Sequence, residues 1–197
     1  MRNQIVFILF LISINTSFAQ GVSTLEAAAT ATTAPTEGLH FSIFKANLID
    51  DIKAYGGKYT PATTQGKVDE TLGFSVGLIN MPIQKLGYTT NLAYLSLKDQ
   101  GSNLASIRLD GNVGYADYVF GQLCNLKGGL NLSKFISGDF AKDLDPSVGG
   151  QASFGVAIIK NVGVDIGYTI MRQTKNINGV DLDYTESGFE IGLGATF

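Results

Sequence analysis

Five charged residues stand where they would have to act on one another: Arg108, Asp110, Lys127, Asp165 and Glu190. Each lies in a stretch of alternating apolar and small or polar residues, on the small, polar side. Charges of both signs in a confined space form either a plug or gate, or a set that simply neutralises itself. The second account is favoured, because an isolated buried charge is expensive. Covalent catalysis is poorly supplied. Acyl chemistry needs a nucleophile beside a base, and the only histidine, His40, begins the first alternating stretch, where a terminal polar residue is the simpler reading. Asp139, Asp143 and Asp145 share a segment without calcium-loop spacing, and a solvated acidic loop accounts for them. Cys124, the only cysteine, has no internal disulfide partner. No phosphate-binding loop, dinucleotide fingerprint, zinc spacing or nucleophile elbow occurs. The expectation is a protein that is not an enzyme and that carries no metal or cofactor.

The elements that position these charges show most clearly at the end of the chain. From Gly188 onward, Phe189, Ile191, Leu193, Ala195 and Phe197 alternate with Gly188, Glu190, Gly192, Gly194 and Thr196. A period of two is an extended strand with unlike faces. Three glycines and one carboxylate do not make a water-facing surface; they suit the crowded inside of a narrow barrel, with the bulky face toward lipid.

Seven earlier segments repeat the pattern. The eight lie at about 39–49, 69–80, 86–98, 104–116, 121–134, 148–160, 162–174 and 184–197. The first is the least regular: Phe41 and Ile43 share a face with Lys45, while Phe44 and Leu48 fall on the other, so a β-bulge near Lys45 is expected. All four prolines fall between segments, as ladder hydrogen bonding requires. Connections alternate between generally longer and short, as in hairpins closing on opposite sides of a membrane. Eight strands of this kind make an all-β, antiparallel, up-and-down transmembrane β-barrel spanning 39–197. Only a closed barrel satisfies strand backbone groups in lipid.

Residues 1–19 read as a cleaved secretory signal: Arg2, an apolar core from Ile5 to Ile14, and Ser17-Phe18-Ala19 before Gln20. Residues 20–38 are Ala/Thr-rich and read as a flexible periplasmic tail. The formal net charge of the whole chain is −3, which makes no case for nucleic acid.

In its signal segment, its architecture and the aromatic Phe197 that closes it, the chain resembles the small eight-stranded bacterial outer-membrane β-barrels of the OmpA transmembrane-domain/OmpX-like family. That resemblance implies an outer-membrane location in a Gram-negative cell, contact with outer-membrane lipid, and Phe197 as the signal read by the barrel-assembly machinery. Tyr88, Tyr115, Tyr118, Phe120 and Phe197 would form a periplasmic-side aromatic girdle, and Tyr184 could belong to an outer one. The fourth and eighth segments face one another across such a lumen, so Arg108 is expected to meet Glu190. Lys127 is expected to neighbour Asp110. The work would be structural or surface interaction with a side-chain-filled lumen, through loops near 50–68, 99–103, 135–147 and 175–183. A narrow porin-like channel for small or hydrophobic solutes is one alternative. A secreted soluble lipocalin-like ligand-binding barrel, with its apolar face inward, is another.

Overall fold

The computed structural model describes residues 36–55, 62–68, 70–99, 102–138, 144–177 and 180–197. The expected signal segment, nearly all of the tail, Asp139 and Asp143 lie outside the described residues. Nine β-strands follow in order: β1 (Glu37–Tyr55), β2 (Ala62–Lys67), β3 (Glu70–Asn80), β4 (Leu86–Asp99), β5 (Ser102–Val119), β6 (Gln122–Ser137), β7 (Ser147–Ile159), β8 (Val162–Ile177) and β9 (Val180–Thr196). Each neighbouring pair is antiparallel and β1 closes on β9. β2 continues the line of β3: β2 pairs with the far half of β1 and β3 with the near half. The closed wall therefore has eight strands, as the alternation predicts.

The bulge lies in the partner strand, not near Lys45. β1 advances three residues from Ala46 to Ile49 while the opposite strand takes four from Lys67 to Thr71. Val68 N–H donates to Leu48 C=O at 3.1 Å across the junction. β1 itself runs against β9 in unbroken register. Lys45 thus shares the outward face with Phe41 and Ile43, and Phe44 and Leu48 turn inward.

The register sets the shape of the wall. From Phe41 the paired residues run through Val76, Leu92, Leu109, Leu132, Val148, Arg172 and Thr185, and return to β1 at Asp51, ten residues further along. With roughly 3.3 Å per residue and roughly 4.8 Å between strands, this stagger tilts the strands by about 40°. Resolved along the axis on the same values, the continuous run of outward apolar residues forms a band about 24 Å tall, with only Ile49 and Ile136 among the described large apolar residues exposed above it. Leu86, Ile158 and Phe197 edge it at the rim that holds both Glu37 and Phe197, here the terminal rim; Ile107, Val148 and Ile170 edge it toward the loop rim. A band about 25 Å tall is what a membrane barrel presents to lipid.

Over that band the bulky apolar side chains point outward, with Phe41, Phe74, Tyr94, Leu109, Leu132, Ile166, Phe189 and Ile191 all exposed. This arrangement is the reverse of a soluble lipocalin-like barrel, and that alternative falls. Above the band the polarity inverts. Leu48, Leu95, Leu97, Phe135, Leu144 and Tyr184 pack together inside the barrel, while Ser96, Lys98 and Arg172 stand outside. The strands run on past the segments read from sequence, β1 to Tyr55, β5 from Ser102, β8 to Ile177 and β9 from Val180, so the loops expected at 50–68 and 175–183 are largely wall. Here the outside is largely polar, and so the pattern of a lipid-facing strand fades before the strand does.

Two-residue turns join β5 to β6 at 120–121 and β7 to β8 at 160–161 on the terminal rim. Phe120 (φ 50°) and Gly121 (φ 79°) both lie in the left-handed region between Val119 and Gln122, the geometry of a two-residue primed turn. Phe120 occupies a position that favours Asn or Gly, and the residue is 89% exposed at the rim.

Candidate functional site

The lumen holds the charges, and its glycines leave room for them. Inward positions alternate on every strand, so β5 contributes Arg108, Asp110 and Asn112, β6 contributes Lys127, and β8 and β9 contribute Asp165 and Glu190. Arg108 is only 3% exposed. Its guanidinium reaches across the barrel and donates two hydrogen bonds to Glu190, Nη1 to Oε1 at 2.5 Å and Nη2 to Oε2 at 3.0 Å. Such a fork-on-fork pair fixes both partners in orientation as well as in charge. Arg108 Nε stands 2.9 Å from Asp110 Oδ1, within ion-pair range though not aligned as a hydrogen bond. The Phe44 ring covers the guanidinium at 5.3 Å, a cation–π contact. Opposite that ring sits Gly73, where any Cβ would overlap the Phe44 ring atoms.

Toward the terminal rim the second pair forms. Lys127 Nζ donates to Asp165 Oδ1 at 2.6 Å, with side-chain exposures of 13% and 28%. Lys127 was expected beside Asp110; the ladder instead sets Asp110 opposite Asn131 and Lys127 opposite Gly114, and the closest carboxylate to Lys127 belongs to β8. His40 lies on the inner face, its Nδ1 2.9 Å from Thr196 Oγ1. A cavity of about 90 Å³ lies beneath Arg108, Asp110 and Glu190, and one of about 70 Å³ lies at the terminal mouth; His40, Lys127 and Asp165 line both. Each has room for about two or three waters. Between the charged pairs runs a chain of uncharged donors: Gln151 Nε2 to Asn112 Oδ1 at 2.8 Å, and Asn112 Nδ2 to Thr89 Oγ1 at 3.1 Å.

On the loop side of Arg108 the lumen turns largely apolar, although the inward Glu186 and Gln173, each 2% exposed, are buried there as well. Phe44, Leu48, Leu95, Leu97, Phe135 and Tyr184 fill it, with Phe135 and Tyr184 edge to face at 6.1 Å. Sequence reasoning missed this plug. Its signal was present in Leu95 and Leu97, which keep the inward phase of β4 while turning apolar. Tyr184, expected in an outer girdle, is 8% exposed and belongs to the plug, because β9 carries it on the Glu186–Glu190 phase. Tyr88, Tyr115, Tyr118 and Phe120 stand outward near the terminal rim, as does Phe197. Phe197 N–H and C=O both bond Leu39 at 2.9 Å, and its ring meets Phe41 edge to face at 6.3 Å. Among the described residues no group of three or more His, Cys, Asp or Glu could hold a metal ion.

A closed eight-strand antiparallel wall, an apolar outer band of bilayer height and a lumen packed with side chains define the class. This is a small, closed, eight-stranded antiparallel transmembrane β-barrel. No protein-family model matches the chain, and neither does any curated protein. Among solved structures it is similar to Neisserial surface protein A (15% identity over 81% of this chain and 97% of that one, TM-score 0.46). It is also similar to the outer membrane protein OprG from Pseudomonas aeruginosa (12%, 83% and 98%, TM-score 0.48) and to the outer membrane protein AlkL (10%, 84% and 93%, TM-score 0.45).

Proposed function

We propose that this chain is an outer-membrane barrel with a structural or surface-interaction role, whose lumen does not conduct and whose contacts with other molecules are made at the loop rim. The observation that carries this reading is the stacking of two unlike seals in one lumen. Arg108 is clamped to Glu190 across the barrel, and immediately beyond it Phe44, Leu48, Leu95, Leu97, Phe135 and Tyr184 pack the lumen around the buried Glu186 and Gln173. An ion crossing would have to separate a buried pair, which costs several kcal/mol, and then displace the side chains packed beyond it. Outer-membrane placement, cleavage of residues 1–19 and Phe197 as the assembly signal belong to the same reading. It is supported by the apolar band and by the way Phe197 is locked into the closing β1–β9 seam.

The test is planar-bilayer recording on the refolded barrel, with heat-modifiable gel migration as the check that it is folded. The expected result is a heat-shifted folded band and no stepwise conductance. Steady conductance from a fully folded sample would overturn the closed-lumen reading. The two stacked cavities, both lined by His40, Lys127 and Asp165, favour one rival, a narrow path for small solutes that opens at Arg108. That rival requires Glu190→Gln to raise conductance.

A further inference from the structure

The outward face of the barrel carries one feature that a lipid-facing wall does not explain. Among the described outward-facing residues, Lys45 is the only charge within the apolar band. By strand rise and tilt its Cα sits about 10 Å above the level of Phe41 and about 5 Å below the upper edge of the band. Its cross-strand neighbours are Leu72 on β3 and Ile191 on β9, both exposed and apolar. Charged side chains at such depth are expensive and mark functional positions. The same outward column continues with Asn47 on β1 and Ser187 on β9, at about the upper edge of the band and just above it. The three residues together form a donor-lined patch near the upper edge of the apolar band, bordered above on β1 by the exposed Ile49.

We propose that this patch binds the phosphate of a lipid headgroup in the leaflet on the loop-rim side. The Lys45 stem is long and flexible enough to lift its ammonium along Asn47 to the edge of the band, as lysines do at membrane interfaces. There it meets the phosphate level, with the Asn47 amide and the Ser187 hydroxyl as further donors. No described carboxylate answers it from the protein. The outward acid nearest along the paired strand, Glu70, stands above the band opposite Lys98. A second copy of this chain is a poor source of the counter-charge for the same reason: none of its described outward carboxylates lies within the band to face Lys45. The lipid phosphate is the anion that is present at this depth all round the barrel.

This inference rests on the membrane reading, and the experiment separates the two. Refolded wild-type protein, Lys45→Met and Lys45→Arg are each reconstituted into phosphatidylcholine vesicles containing phosphatidic acid. They are then floated on a density gradient, released into detergent and weighed by native mass spectrometry. The expected result is that all three float and show the heat-shifted band, and that Lys45→Met retains phosphatidic acid about fivefold less than wild type. Lys45→Arg should stay near wild type. Equal retention by floated Lys45→Met overturns the phosphate assignment and leaves the membrane reading standing. A dimer seen in wild type and lost in Lys45→Met also overturns it, in favour of a protein partner. Failure of the wild type to float overturns both.

Discussion

Removing Arg108 should injure this barrel far more than removing the charge of either of its partners. The cluster of Arg108, Asp110 and Glu190 carries one positive and two negative charges in a nearly sealed lumen. Glu190→Gln leaves Arg108 facing Asp110, a neutral pair, and the amide still accepts a hydrogen bond. At an effective dielectric near 20, an attraction across about 4 Å is worth about 4 kcal/mol, and the repulsion relieved between Asp110 and Glu190 at somewhat longer range returns most of it. The net cost should be about 1–2 kcal/mol. Arg108→Met instead leaves two buried carboxylates with no cation between them, and strips the Phe44 ring of its partner. Breaking a buried ion pair from one side typically costs about 3–5 kcal/mol, and here two anions are stranded at once. The assay is urea unfolding of the refolded barrel in lipid vesicles, followed by far-ultraviolet circular dichroism because the chain has no tryptophan. Arg108→Met unfolding at the same urea concentration as Glu190→Gln, or later than wild type, would refute the reasoning. It would mean that the lumen is wet enough to screen these charges.

Two further outcomes follow from the same lumen. Gly73→Val should drive the Phe44 ring off Arg108 and cost about 1–3 kcal/mol by overpacking, read as a lower temperature for the heat shift; an unchanged shift would mean the ring repacks freely. Lys127→Met breaks a pair that water reaches from the terminal mouth, so it should move the urea midpoint much less than Arg108→Met does, by no more than about 1 kcal/mol.

The alternation of bulky and small residues was enough to show an eight-strand antiparallel wall, which face is bulky, and five of the charges on its small, polar side, but not the buried Glu186. Those properties are local: a period of two decides the face of each residue whatever the neighbouring strand does. Even the pairing of Arg108 with Glu190 was legible, because opposite strands of an eight-strand wall must face one another. Wherever the answer depended on register, the sequence was silent. The partner of Lys127 is Asp165 because a stagger of ten residues around the wall brings β6 and β8 to the same level at those positions. The bulge lies opposite β1 because one extra residue between Lys67 and Thr71 is absorbed there.

The apolar plug, the inward turn of Tyr184 and the depth of Lys45 all depend on how high each residue stands along a tilted strand. A one-dimensional pattern has no height in it. Leu95 and Leu97 read as ordinary strand residues until the tertiary structure places them toward the loop rim, where the outside of the wall turns largely polar and the inside largely apolar. The periodicity alone determined that each strand has one bulky face and one small or polar face; that the bulky face is the outside was decided by the tertiary structure. Where that outside ends, and what the lumen holds at each level, was decided only when the strands were tilted and joined.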